Sequence, residues 1–298
     1  MVCFRVQKCH ISPEKQIPRL RYFVPRLAYV ARTYYFCILK RMKIKEVAEA
    51  LERFAPLPLQ ESYDNAGLQI GLTEADNLTG VLLCLDVTED VIREAVSMGC
   101  NLVVSHHPLL FHGLKRVGEE TMVERCVRLA IREGVGIYSA HTNLDNAEGG
   151  VNWMMAEHLG ASPLRPLNEQ GEGLLCQLPE AVPVNAFLRH VKEAFRVEKL
   201  STNVMPEDMR PISTVAVCGG AGDFLLGDAM QLGADAFLTG EMHYHQYFGV
   251  DDRIVIGVLG HYESEQYTIQ LLHRILAKAL PGLRIEETRL NTNPVKYL

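Results

Sequence analysis

The stretch GVLLCLDVTEDVIREAVSMGCNLVVSHHP, residues 80–108, sets two short, wholly apolar runs on either side of one amphipathic segment. A strand, a helix closed by Gly99 and a second strand, in that order, make a βαβ unit. The pattern continues, because TMVERCVRLAIREG reads as another helix and leads into the strand VGIYSAH. Upstream, Val47, Ala48, Leu51 and Phe54 recur at helical spacing over residues 44–54, and Pro56 stops that helix. A chain that alternates these elements folds as α/β.

Shifted by 134 residues, the chain echoes itself without a gap: Val81 falls on Val215, Cys84 on Cys218, Ala95 on Ala229, Gly99 on Gly233 and Ser105 on Thr239. Few positions are identical, so duplication and a shared βαβ grammar both account for the echo. Either origin predicts two α/β lobes, each with a polar loop after its second strand, the place where open α/β sheets hold ligands. The first lobe is expected over residues 42–165, completed by 261–298, and the second over 166–260.

Residues 1–41 stand apart. They hold nine of the chain's 30 Lys and Arg residues but one of its 36 acids, Glu14, which leaves about −14 on the remainder. With scattered prolines and no sustained period, this segment reads as an extension outside the fold, disordered or an upstream-start artefact, with Met42 as the natural start. An Arg-rich, acid-poor N-terminus also fits a mitochondrial transit peptide, and its cations could touch nucleic acid. The acidic body argues against nucleic acid as a partner. Eight cysteines form no CxxC pair, which argues for a reducing compartment and against a disulfide framework or thiolate metal site. No apolar run approaches the roughly 20 residues of a bilayer span, so no membrane is expected and the cytoplasm is the expected location.

Seven of the eleven histidines follow apolar strand-like runs: His106, His107 and His112; His141; His243 and His245; His261. Acids accompany them, Asp145 four residues after His141, Glu241 before His243 and Glu265 four residues after His261. Residues four apart share a helix face, so His261 and Glu265 can converge on one point. Adjacent residues point apart, so His106 and His107 suit two neighbouring ions better than one. A carboxylate such as Glu265 offers two oxygens to two ions, which an imidazole cannot do. One histidine at a strand end is more often a hydrogen-bonded structural residue; the metal reading rests on SHHP, HTNLD and HYESE together. His112, His158, His190 and His273 read as surface or structural, and the Gly-rich turn CGGAGD could approach an anion, though a tight turn alone explains it equally well.

In this order, ESYDNAGLQIG, SHHPLLF, HTNLDNAEGGVN, TGEMHYHQ and GHYESE resemble the Nif-three-like dinuclear metal-centre family, which includes GTP cyclohydrolase 1 type 2 homologs. The resemblance runs from about Met42 to the C-terminus. It implies two related α/β lobes, a dinuclear site in the cleft between them and a homohexameric ring. It also implies metal ligands at His106, His107, Asp145, His261 and Glu265, with His141, His243 and His245 near the ions but not binding them. The larger family form carries an inserted domain, for which residues 165–210 are too short.

His and carboxylate donors without thiolate suit two divalent ions per subunit, Zn, Mn, Fe, Co or Ni. Two such ions about 3.5 to 4 Å apart can hold a hydroxide at neutral pH and polarise the bond it attacks. Hydrolysis of a small molecule, with nucleotides in the class, is the expected chemistry; on GTP it would open the purine ring at C8, with His141 or His245 shuttling protons. Only Lys115 and Arg116 lie beside the site in sequence to meet a triphosphate. A non-catalytic metal-binding scaffold and a phosphoesterase are the alternatives.

Overall fold

The computed structural model describes residues 42–297 apart from 72–76, 206 and 251, so the expected extension over 1–41 lies outside the described residues. Helix α1 (Ile44–Phe54) keeps the bounds its periodicity predicts and buries Ile44, Val47, Ala50 and Leu51. Strand β1 (Gly67–Ile70) is followed by β2 (Val81–Cys84), helix α2 (Glu89–Ser97), β3 (Leu102–Ser105), helix α3 (Met122–Glu133) and β4 (Gly136–Ser139). The two helices start where a threonine can cap them: the Thr88 side chain accepts from the N–H of Val91, and Thr121 from Glu124. Each oxygen satisfies an amide that has no partner inside its helix.

Helices α4 (Thr142–Asp145) and α5 (Val151–Leu159) lead to a second run of elements. These are β5 (Ser162–Arg165), β6 (Leu174–Pro183), α6 (Val184–Ala194), β7 (Ser201–Thr202), β8 (Pro211–Cys218), α7 (Leu226–Gln231), β9 (Ala236–Thr239) and β10 (Val255–Val258). Helices α8 (His261–Glu265) and α9 (Thr268–Ala279) then carry the chain to β11 (Ile285–Glu287).

Five strands form one sheet in the order β1-β4-β3-β2-β11, parallel except for β1. Six form the other in the order β5-β6-β8-β9-β10-β7, with β8, β9 and β10 parallel. The C-terminal β11 therefore completes the first sheet, while β5 joins the edge of the second. Register carries the internal echo. Val81 pairs with Leu102 and Cys84 with Ser105, and at the same offset Val215 pairs with Ala236 and Cys218 with Thr239.

One apolar cluster serves both sheets. It takes Leu83, Val104 and Tyr138 from the first and Val215, Leu238 and Val255 from the second, joined by Leu51, Met155, Phe187 and Leu272 from α1, α5, α6 and α9. Alternate residues point the other way: Leu82 and Val103 pack under Ile92 of α2 and Val127 of α3, and Ala216 and Phe237 under Ala229 of α7. Both faces of each parallel core are thus dry, which is why the paired stretches 81–84, 102–104 and 215–218 are apolar throughout. The histidines and their acids appear where these strands stop.

Candidate metal centre

Those strand ends assemble one cluster. His106 and His107 follow β3, His141 follows β4, Asp145 ends α4, and His261 and Glu265 are the first and last residues of α8, which follows β10. Ligand atoms of three overlapping groups approach within 4.8 Å: His106, Asp145 and Glu265; His107, His261 and Glu265; His106, His107 and His141. Glu265, 4 % exposed, joins the first two groups. Its Oε1 stands 3.7 Å from His106 Nε2, and its Oε2 stands 2.9 Å from His107 Nε2 and 3.3 Å from His261 Nε2. All five residues that the resemblance implies as ligands therefore meet, together with His141. His245 does not join them; it is exposed, with Tyr244 and Phe248 as ring neighbours. His243 binds Asp223 instead.

Carboxylates and carbonyls fix the imidazoles. The Nδ1–H groups donate from His106 to Ala140 O at 2.8 Å, from His107 to Asp86 at 2.7 Å, from His141 to Asp64 at 2.7 Å and from His261 to Glu241 at 2.8 Å. With Nδ1 committed, Nε2 is the nitrogen each ring turns to the cluster, as in metal sites where an outer acceptor fixes the tautomer. Asp64 and Asp86 have no local signal as site residues, because they reach their histidines from 77 and 21 residues away. Their polarity within ESYDN and at the end of the β2 run is the one sequence cue.

The residues fit a metal ion. His106 Nε2 and Asp145 Oδ1 are buried without a hydrogen-bond partner, yet they face each other at 3.6 Å. That gap is too long for a hydrogen bond. It suits two donors on one ion at about 2.0–2.2 Å each, which stand roughly 3–3.5 Å apart. Such an ion removes the cost of two unpaired buried polar atoms.

Charge is balanced tightly. Burial opposes ionisation of Glu265, but His106, His107 and His261 outweigh it and hold the carboxyl well below its usual range. Asp145 goes the other way: burial, reinforced by the charge of Glu265 and opposed by His106, pushes it up to about 7. His107 is raised to about 10 against burial by its bonds to Asp86 and Glu265, and His261 to about 9 against burial, chiefly by Glu265.

A cavity of about 370 Å³ opens onto the cluster, with His107, His141, Asp145, His261 and Glu265 in its wall. Tyr63, Phe111 and Phe224 give it an aromatic rim. The loop after β8 forms the side nearest Glu265, and Gly220, at φ +60°, passes so close that a Cβ there would overlap the Glu265 carboxylate. No helix among the described residues is long and apolar enough to cross a membrane.

Residues 42–294 match the profile of the Duf34/NIF3 (NGG1p interacting factor 3) family. A Clostridium perfringens protein named GTP cyclohydrolase 1 type 2 homolog is 35 % identical over 236 residues, 75 % of this chain and 87 % of its own. A Clostridium acetobutylicum protein of the same name is 30 % identical over 269 residues, 86 % of this chain and 99 % of its own. The crystal structure of a Staphylococcus aureus hypothetical protein superimposes with a TM-score of 0.78 at 25 % identity, over 87 % of this chain and 100 % of that one. The βαβ grammar, the strand-end histidines and these likenesses agree: the chain belongs to the Duf34/NIF3 family.

Proposed function

We propose that this protein is a metal-dependent hydrolase of small molecules, of the kind named by its relatives as GTP cyclohydrolase 1 type 2 homologs. In this reading it would hold two divalent ions, drawn from Zn, Mn, Fe, Co or Ni. His106, Asp145 and Glu265 would hold one, and His107, His261 and Glu265 would hold the other. The observation that carries the reading is Glu265, whose two oxygens face different donor pairs, one of them containing the unpartnered His106 Nε2 and Asp145 Oδ1. Ions held there acidify water and polarise the bond under attack.

The chain's own residues supply the rest. His141 lines the cavity with its Nδ1–H held by Asp64, so Nε2 is placed to take and return a proton. Its position supports it for that role over His245, which lies among Tyr244 and Phe248. Asp145 and Glu265 line the cavity beside His141, and Phe111 stands edge-on to that imidazole at 6.0 Å.

The test is metal content by elemental analysis, then turnover of GTP, other purine nucleotides and phosphoesters by the loaded protein. The expected result is turnover above that of free metal, lost in His141→Ala and Asp64→Asn with metal content unchanged. Metal bound without any turnover makes the protein a scaffold instead. Turnover of phosphoesters alone makes it a phosphoesterase.

A further inference from the structure

The cavity mouth is acidic, and it is built from both halves of the chain. Glu61 comes from the loop before β1 and Glu172 from the turn before β6, and both line the cavity. Asn146 donates to Glu61 at 2.9 Å and Asn168 donates to Glu172 at 2.5 Å, so an amide holds each carboxyl in place. Burial and then the charge of the neighbouring Glu61 raise the Glu172 pKa, against the Asn168 hydrogen bond. Both carboxyls face one cavity, with no cation beside them among the described residues. The same field pushes Tyr63 up to about 12, through burial and then the charges of Glu61 and Asp64. No Lys or Arg stands among the described residues of the cavity wall, and Arg116 is exposed and paired with Glu120.

A polyanion is poorly served by this mouth. Ions bound at the floor could meet one phosphate, but a triphosphate reaching outward would lie against Glu61 and Glu172. What the mouth does accept is a flat ring with hydrogen-bond donors on its edge. Tyr63 and Phe111, in edge contact at 6.3 Å, and Phe224 offer exposed aromatic surface to such a ring. A carboxylate accepts two parallel N–H bonds when the donors are adjacent.

Building on the hydrolase reading above, we propose that Glu61 and Glu172 set specificity by accepting the N–H edge of an amino-substituted nitrogen heterocycle, a ring N–H beside an exocyclic amine. The ring, and not a phosphate chain, then supplies the binding energy. Guanine carries this edge, hypoxanthine lacks the exocyclic amine, and adenine lacks the ring N–H.

The test is calorimetric binding of guanosine, inosine, adenosine and GTP to the full chain loaded with zinc, whose metal content is measured first. Guanosine is expected to bind, inosine and adenosine at least tenfold more weakly, and GTP no more tightly than guanosine. Charge-assisted hydrogen bonds are worth about tenfold to a hundredfold each, so Glu61→Gln and Glu172→Gln should each weaken guanosine by that factor with zinc content unchanged. GTP binding well above guanosine, equal binding of inosine, or no effect of either substitution overturns the proposal. So does a failure to bind any of the four nucleosides and nucleotides. The hydrolase reading is decided separately, because it stands or falls on metal content and turnover of any substrate.

Discussion

Glu265 Oε2 lies 2.9 Å from His107 Nε2 while its Oε1 lies 3.7 Å from His106 Nε2, so one buried carboxylate faces two adjacent histidines with different oxygens. Replacing it therefore differs in kind from replacing any other donor. Glu265→Gln keeps the shape but loses the charge and one acceptor, and is expected to reduce bound metal from about two ions per chain to nearly none. Asp145→Asn and His261→Ala each remove a donor from one group only, and each is expected to leave about one ion. Elemental analysis of the three proteins decides it; two ions retained in Glu265→Gln would mean that the carboxylate is not shared.

Protons compete with metal at these histidines. The carboxylates around them raise His107 to about 10 and His261 to about 9, so in the metal-free protein both imidazoles favour the protonated form. Both protons must leave when an ion binds. The sign follows from mass action: raising the pH from 6.5 toward 9 removes the competitor, so metal affinity rises, by up to about tenfold per displaced proton per pH unit. A zinc titration across that range, with proton release followed by an indicator dye, should show the rise and about two protons per chain. A flat profile would mean that the two imidazoles are already neutral before metal arrives.

What the sequence makes legible, and what it hides, divides along local and long-range structure. The α1 bounds follow from the spacing of Val47, Leu51 and Phe54, and the convergence of His261 with Glu265 follows from helical geometry, realised at 3.3 Å. HYESEQYTIQLLHRIL, however, reads as one helix and folds as α8 and α9, with the break at Gln266 and Tyr267. His245 shares a motif with His243, but the tight turn over Tyr244–Tyr247 leaves it exposed beside aromatic neighbours. Asp64, Glu61 and Glu172 sit on loops whose placement depends on the packed sheets, and no periodicity encodes that.

Thr292 tests how far the support of His107 extends. Its hydroxyl donates to Asp86 Oδ2 at 2.6 Å, and Asp86 Oδ1 accepts the Nδ1–H of His107 at 2.7 Å. A residue beyond β11 thus holds the carboxylate that aims a histidine at the cluster. A carboxylate that holds a ligating histidine directly, as Asp86 would, is worth about tenfold to a hundredfold in metal affinity. Thr292→Val is expected to weaken binding by about tenfold in competition with a chelator, and Thr292→Ser to restore it. Equal affinity in the valine variant would show that Asp86 holds its place without the threonine.

Gly220 carries a steric demand that can be separated from chemistry. Its φ of +60° disfavours any side chain, and a Cβ would overlap the Glu265 carboxylate. Gly227, in α7, has open space around its Cβ position and no such φ. Strain and overlap together cost roughly 2–4 kcal/mol, so Gly220→Ala should melt roughly 5–15 °C below the parent without metal. Gly227→Ala should instead gain up to about 1 kcal/mol, because alanine favours a helix where glycine does not. Metal-free protein is the sample that matters, since a loss seen only with metal present would report displaced donors and not the backbone. If Gly220→Ala melts with the parent, the loop can move away from Glu265, and the close approach is not what glycine serves there.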